Sequence, residues 1–237
     1  MADQTEVNFY DVYTGFRPYE PPVLKSKHIQ QFDYEFWTAA GCETSSAVLE
    51  VGSGTGMFLA YLEHKGVARY FGLDTDEAVL EVLPDSIKQN FAVQDIWDFL
   101  DRTAGSDTFD HIVLFDVFEH FSPQDGVRLL KAFRAILNPS GRITLRMPNM
   151  ESPWAMQYQF GDLTHKGAYN ANSLKQVALA ANYNLVSAIP QRRSKGIRRM
   201  KEAILESILN VMLTEPPKIW SANFIAVLES RPDEATG

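Results

Sequence analysis

A glycine-rich turn is the first feature of this sequence that could do chemistry. It reads Glu50-Val51-Gly52-Ser53-Gly54-Thr55-Gly56 and follows a short apolar run, Ala47 to Val51. Glycines let a ligand approach the backbone closely. The third glycine comes two residues after the second, where a dinucleotide-binding loop requires three, and no Lys-Ser or Lys-Thr pair follows as in a phosphate-binding loop. The acid two residues before the first glycine disfavours a pyrophosphate and favours a cationic ligand.

Acidic residues also end the next three apolar runs. Asp74, Asp95 and Asp116 each follow such a run, and Asp74 comes 20 residues after Gly54. A carboxylate at that distance can accept both hydroxyls of a ribose. One such aspartate alone more often caps a helix. Because the carboxyl ends of parallel strands share one edge, four acids in succession, Glu50 included, predict a single ligand crevice.

Two of the five histidines are candidates for a general base near neutral pH. His165 lies in Gly161-Asp162-Leu163-Thr164-His165, and we rank it first, with Asp162 orienting it. The alternative is a solvated His165 beside a turn that Asp162 and Thr164 cap. His120 directly follows Glu119, and there a structural role competes with a catalytic one.

Strands and helices alternate along the chain as in a parallel sheet covered by helices. The predicted strands are Ala47 to Val51, Tyr70 to Leu73, Phe91 to Gln94, His111 to Phe115, Arg142 to Met147, Leu185 to Ile189 and Phe224 to Leu228. The predicted helices are Phe58 to His64, Asp76 to Val82, Pro123 to Leu137 and Ser173 to Ala181. The pattern therefore predicts an α/β fold.

The two ends of the chain differ from this alternation. Residues 1–46 are rich in aromatic side chains and predict a helical cap across the carboxyl edge of the sheet. Residues 47–237 then form the main domain, with an insertion at about 191–219. That insertion begins with a basic stretch that includes Arg192, Arg193, Arg198 and Arg199, followed by apolar residues at helical spacing. Such a cluster is commonly a solvated face. Our hypothesis is that it contacts the anionic part of an acceptor or anionic lipid.

Five motifs together resemble the class I S-adenosylmethionine-dependent methyltransferases. They are the segments 50–56, 72–74, 94–96, 116–120 and 137–141, which occur in the order and at the intervals of that family. The resemblance implies a Rossmann-like three-layer sandwich around a seven-stranded, mostly parallel sheet in the order 3-2-1-4-5-7-6, with the last strand antiparallel. It also implies that Glu50, Gly52, Ser53, Gly54, Gly56, Asp74, Thr75, Asp95, Ile96, Asp116 and Val117 surround the cofactor, which leaves as S-adenosylhomocysteine. A weaker resemblance, carried by the loop around Asp162 and His165, is to methyltransferases of bacterial polysaccharide biosynthesis.

The expected activity is transfer of a methyl group to a hydroxyl of a small polar acceptor, such as a sugar, sugar nucleotide or glycan. One alternative is N-methylation of a small amine, which needs a base less because a neutral amine already offers a lone pair. Another is a noncatalytic protein that binds the cofactor or a partner without turnover. No metal is expected, because no ligand-spaced pattern such as H-x-x-x-H is evident.

Composition sets the remaining expectations. A net charge of −8 argues against nucleic acid as a partner. A single cysteine, Cys42, excludes an internal disulfide, and the sequence shows neither a secretory leader nor a membrane-spanning run, so we expect a cytoplasmic protein. It would act as a monomer or homodimer with weak peripheral membrane contact.

Overall fold

The computed structural model describes residues 7–16, 18–103, 105, 107–192 and 196–232. Its centre is one sheet of seven strands in the order β3-β2-β1-β4-β5-β7-β6. The strands are β1 (Ala47–Val51), β2 (Arg69–Asp74), β3 (Phe91–Val93), β4 (Phe109–Phe115), β5 (Leu137–Pro148), β6 (Tyr183–Pro190) and β7 (Asn223–Ser230). All neighbours pair in parallel except β7, which is antiparallel to β5 and β6. The sheet predicted from the sequence motifs is confirmed.

Helices cover both faces of this sheet. They are α1 (Tyr13–Phe16), α2 (Ser26–Phe32), α3 (Met57–Lys65), α4 (Val79–Val82), α5 (Asp85–Lys88), α6 (Ile96–Thr103), α7 (Pro123–Phe133), α8 (Met156–Gln159), α9 (Ala171–Ala180) and α10 (Gly196–Met212). A 3-10 turn (Phe9–Val12) precedes α1, and a π-helical segment (Asp33–Thr38) continues α2. None of the helices in the described ranges is long and apolar enough to cross a bilayer.

The central strands are buried on both faces, which explains their nearly continuous apolar sequences. In β1, Leu49 packs into the core on one face and Val48 into the core on the other. In β4 the same alternation separates Ile112 from Val113. The two cores therefore lie on opposite faces of the sheet in a three-layer sandwich, and the carboxyl ends of all strands except the antiparallel β7 lie at the same edge.

The N-terminal helices pack against one of these cores. The ring of Phe32 lies 5.2 Å from that of Phe58 and 5.8 Å from that of Phe115, and the ring of Phe36 lies 5.0 Å from that of Phe58. Such aromatic contacts each add up to about 1 kcal/mol beyond the burial of apolar area. The segment around Tyr10 lies instead at the carboxyl edge of the sheet, where it lines the cavity described below.

Two helix boundaries differ from those predicted by more than two residues. Helix α7 ends at Phe133, four residues short of the expected Leu137, because Leu137 already pairs with Phe109 at the start of β5. Helix α4 begins only at Val79, since the carboxylates of Asp74 and Asp76 accept backbone N–H bonds in turns that compete with a helix. The short helix α6 was missed by the sequence pattern.

Candidate functional site

The glycine turn links β1 to α3 and is fixed from beneath by β2. The backbone N–H groups of Gly52 and Ser53 both donate to the carbonyl of Leu73, at 2.8 Å. Gly52 has a φ of +72°, and a Cβ there would lie 2.4 Å from Cγ2 of Val117. A side chain at this position would be strained and would clash, so the turn requires glycine for both its backbone angle and its closeness to Val117.

Asp74 is held in a fixed orientation at the end of β2. Its Oδ2 accepts the N–H of Gly54 at 2.8 Å, and its Oδ1 accepts the N–H of Asp76 at 3.1 Å. Burial raises the pKa of this carboxyl, and the backbone hydrogen bonds oppose that rise. Each carboxylate oxygen can accept a second hydrogen bond. Asp74 can therefore bind two ligand hydroxyls without moving.

A cavity of about 880 Å³ opens at the carboxyl edge of the sheet. Nine of the residues predicted for the site line it: Gly52, Gly54, Asp74, Thr75, Asp95, Ile96, Asp116, Val117 and His120. Three aromatic residues of the N-terminal segment, Tyr10, Tyr13 and Tyr19, complete the wall. Of the described residues that line the cavity, six are acidic and one, Lys166, is cationic; the acidic ones are Asp74, Asp76, Glu77, Asp95, Asp116 and Asp125. The cavity thus suits a ligand that carries positive charge.

Three further predicted residues lie behind the cavity wall. Ser53 is buried, with its Oγ donating to the carbonyl of Glu50, and Gly56 begins α3. Glu50 is 3% exposed, and burial raises its pKa well above the ordinary value. Its Oε2 has no hydrogen-bond partner within the part of the chain that the structure describes. An unpartnered buried carboxyl oxygen needs an explanation, and a ligand bound at the glycine turn would supply the missing partner.

An ion-pair cluster that sequence analysis did not identify supports Asp116. Nε and Nη2 of Arg146, on β5, donate to the Asp116 carboxylate, the latter at 2.6 Å. Nη1 of Arg146 donates to Oε2 of the fully buried Glu35 at 2.9 Å. Burial alone would lower the pKa of the Arg146 guanidinium, yet the two carboxylates raise it. Asp116, which has a φ of +59°, is therefore held in the left-handed region by a buried cation.

His120 is the histidine that faces the cavity. Its Nδ1 lies 3.0 Å from Oγ1 of Thr164 and 3.1 Å from the hydroxyl of Tyr10. The Thr164 hydroxyl in turn donates to Oδ1 of Asp162 at 2.5 Å. Burial would raise the pKa of Asp162, but the bonds from Thr164 and the charges of both histidines outweigh it and lower that pKa. The structure thus aligns a carboxylate, a hydroxyl and an imidazole.

His165 lies directly behind His120, with the two ring centroids 4.7 Å apart. Its Nδ1 donates to the carbonyl of Gln159 at 3.0 Å. Its Nε2 lies 3.9 Å from Oδ2 of Asp162 and 4.0 Å from Oε1 of Glu119. Glu119 is 1% exposed, and burial raises its pKa well above the ordinary value. His165 therefore faces two buried carboxyl groups and is absent from the cavity wall as the described residues define it.

Of the predicted anion-binding arginines, the three that the structure describes do not line the cavity. Arg192 stacks 4.2 Å above the ring of Tyr34. Arg199 pairs with Glu206 at 3.3 Å, and Arg198 is exposed. Arg193 lies outside the described residues. Within those residues, three His, Cys, Asp or Glu side chains nowhere stand together as metal ligands would.

The known proteins that this chain resembles are methyltransferases. A family model described as "Methyltransferase domain" matches residues 26–188. The EEF1A lysine methyltransferase 2 of Danio rerio is 29% identical over 113 residues, which span 44% of this chain and 48% of that protein. The chain thus matches only about half the length of this relative.

Two solved structures share the fold. A SAM-dependent methyltransferase from Archaeoglobus fulgidus superposes with a TM-score of 0.67 at 17% identity, covering 94% of this chain and all of the other. CalO1, a methyltransferase in calicheamicin biosynthesis solved with S-adenosylhomocysteine bound, superposes with a TM-score of 0.57 at 18% identity, covering 85% and 54% of the two chains.

Proposed function

Because the chain belongs to the class I S-adenosylmethionine-dependent methyltransferases, we propose that it methylates a hydroxyl of a small polar acceptor. The acceptor class we favour is a sugar, sugar nucleotide or glycan. The observation that carries this proposal is the hydrogen-bonded chain from Asp162 through Thr164 to His120, which ends at the cavity. A base is needed for a hydroxyl acceptor, because its proton must leave as the new bond forms.

The hydrogen bonds of His120 support Nε2 as the basic nitrogen. Asp162 is kept ionised by its lowered pKa, so the Thr164 hydroxyl donates its only proton to it. Thr164 Oγ1 can then accept from Nδ1–H of His120, and the Tyr10 hydroxyl, 3.1 Å from the same nitrogen, can accept from it as well. In this tautomer the basic lone pair is on Nε2. We therefore assign Nε2 of His120 as the atom that takes the acceptor's hydroxyl proton.

The residues around the cavity fit the cofactor. Bound S-adenosylmethionine supplies an electrophilic methyl group on a sulfonium and also carries an ammonium. Asp74 would hold the ribose hydroxyls, while Asp95 and Ile96 would meet the adenine. The unpartnered Oε2 of Glu50 and the acidic wall suit the positive charges. The turn at Gly52 and Gly54 lets the ligand lie against the backbone.

His165, the first-ranked base in the sequence, is better placed as a positioning residue. Its Nδ1–H is committed to the Gln159 carbonyl, and its Nε2 is directed at Asp162 and Glu119. A His165 side chain between these two carboxyl groups and the ring of His120 would hold the base in place.

The test is transfer of labelled methyl groups to a panel of free sugars and nucleotide sugars. His120→Asn should reduce turnover by about 10²- to 10⁴-fold. The matched control is His64→Asn on the exposed side of α3, which should leave turnover unchanged. Calorimetry with S-adenosylhomocysteine should give the same affinity for both variants. If His120→Asn turns over at the control rate, the assignment of the base is wrong.

A second candidate is N-methylation of an amine. Two observations favour it: the relative from Danio rerio is named a lysine methyltransferase, and acidic residues dominate the cavity wall. A cationic amine would be attracted by that wall but must lose a proton before it can react. Methyl transfer to an amine panel, with sugars inert, would support this candidate over the hydroxyl acceptor. Cofactor binding without turnover on either panel would support the noncatalytic alternative.

We also propose a place in polysaccharide biosynthesis, a cytoplasmic location and a monomeric or homodimeric state. The loop from Gly161 to His165 supports the first, and the single buried Cys42 fits a reducing compartment. Product identification, cell fractionation and sedimentation velocity test the three proposals in turn.

A further inference from the structure

Helix α10 exposes its apolar face, and none of its residues, 196–212, is fully buried by the part of the chain that the structure describes. Ile197, Met200, Ile204, Ile208 and Val211 recur at intervals of three and four residues, which places them on one side of a helix. They are between 50% and 87% exposed. An amphipathic helix of a soluble domain normally turns such a face inward. The apolar face of α10 is therefore available to bind another apolar surface.

The polar side of α10 is the side that faces the protein. Arg199, Glu202 and Glu206 are half-buried, and Arg199 pairs with Glu202 at 3.9 Å and with Glu206 at 3.3 Å. Oδ1 of Asn210 accepts the indole N–H of Trp220 at 2.9 Å. The ion pairs of Arg199 lie within α10, whereas the bond from Trp220 to Asn210 ties the helix to the rest of the protein. Because the half-buried residues of α10 are mainly these polar ones, the apolar side of the helix points outward.

Charge identifies the surface that fits this face. Lys201 lies within the apolar side, four residues after Ile197 and seven before Ile208, and Arg198 is also exposed. The two acids of the helix, Glu202 and Glu206, are on the side that faces the protein. The exposed charges of α10 are thus positive on a chain whose net charge is −8. A surface that offers both hydrocarbon and negative charge is complementary to them.

We propose that α10 docks the protein on an anionic lipid bilayer, with the helix lying in the plane of the interface. Its 17 residues form a rod about 25 Å long. The apolar side chains would enter the boundary between headgroups and acyl chains, and the Lys201 ammonium would reach back to the phosphates. A second copy of the chain fits less well, because pairing two such faces would bury Lys201 among isoleucines without an acid beside it.

Docking through α10 would also bring the loop that carries Asp162 and Thr164 towards the bilayer. Trp220 joins the two elements, because its indole bonds to Asn210 of α10 and its carbonyl accepts the Ser152 hydroxyl at 2.7 Å. The same loop exposes Trp154, Phe160 and Leu163 by 51% to 68%. The lipid surface and the cavity would then be neighbours.

The experiment is sedimentation of the full chain with vesicles of phosphatidylcholine, alone or mixed with phosphatidylglycerol. The wild type should sediment with the mixed vesicles only, and added salt should weaken binding. Ile204→Gln combined with Ile208→Gln should weaken binding roughly 100-fold, since each side chain leaves the lipid. Lys201→Gln should weaken it about fivefold. Val186→Gln combined with Leu179→Gln, which alters exposed apolar residues elsewhere, is the matched control and should bind as the wild type does.

Three results would overturn the proposal. They are equal sedimentation with both kinds of vesicle, no sedimentation with either, or loss of a dimer, and not of lipid binding, in the α10 double variant. Calorimetric affinity for S-adenosylhomocysteine reports whether each variant is folded. Vesicle binding is measured without an acceptor, so it can succeed even if the proposed hydroxyl methylation fails.

Discussion

Replacing Arg146 by methionine should destabilise the fold strongly, because the Arg146 side chain is only 13% exposed. The substitution removes a buried cation that gives four hydrogen bonds to two carboxylates, at 3.1, 3.1 and 2.6 Å to Asp116 and 2.9 Å to Glu35. Glu35 is fully buried, so its charge cannot return to water. Breaking a buried ion pair from one side costs about 3–5 kcal/mol. We expect a loss of unfolding free energy in that range near neutral pH.

The pH dependence of this loss gives a second readout. Burial already raises the pKa of Glu35, and the Arg146 charge opposes that rise. Without Arg146 the folded-state pKa of Glu35 rises further, so the folded protein binds more protons than the unfolded chain above the ordinary pKa of 4.5. The loss should therefore grow as the pH rises from about 4.5 towards neutrality. Adding Glu35→Gln should restore part of the stability at neutral pH.

Urea unfolding followed by circular dichroism, without cofactor, measures these effects. The matched control is Arg142→Met, four residues earlier on the same strand. Arg142 pairs with Glu229 at 3.1 Å and donates to the carbonyl of Ala40 at 3.0 Å, but its side chain and that of Glu229 are 34% and 39% exposed, so the loss should be smaller, about 1–2 kcal/mol. Equal losses for the two variants, or a loss at Arg146 that does not change with pH, would refute this reasoning.

Three further outcomes are expected. Asp74→Ala should weaken S-adenosylhomocysteine binding in calorimetry by about 2–3 kcal/mol, because two charge-assisted hydrogen bonds to a ribose are lost; unchanged affinity would remove Asp74 from the site. Gly52→Ala should lower the urea midpoint, since its Cβ would meet Val117 at 2.4 Å, and adding Val117→Ala should recover part of the loss; no recovery would contradict the clash. Burial lowers the pKa of His111 from 6.5 to about 4, so the folded state binds fewer protons and about 3 kcal/mol of stability should be lost as the pH falls from 6.5 to 4. His111→Phe should flatten that part of the pH profile in urea titrations, and an unchanged slope would count against it.

Strand positions and the cofactor side of the cavity could be predicted because they depend on local patterns. The run Ala47 to Val51 forms β1 with the predicted bounds, and the acids at the ends of the next strands meet at one edge because parallel strands must do so. The glycine turn could be predicted from the sequence because the backbone angle at Gly52 and the contact of Gly52 with Val117 both require glycine.

The acceptor side could be predicted only in part because its contacts join distant segments. Tyr10 and His120 are 110 positions apart, and Thr164 reaches His120 from another loop. Arg146 looks from the sequence like a polar interruption of an apolar strand, and its partners, Asp116 and Glu35, lie on two other segments of the chain. A charged residue inside a run such as Leu145-Arg146-Met147 is the signal that would have pointed to a buried ion pair.

The hydrogen bond between Tyr10 and His120 matters for any shortened form of this protein. The recognisable catalytic module begins at residue 26, yet a phenol from upstream of that boundary touches the imidazole assigned as the base. A shortened protein that starts with α2 would keep the sheet and both cores. It would lose the side of the cavity that the N-terminal segment forms, and water would reach the proposed base, His120, more easily.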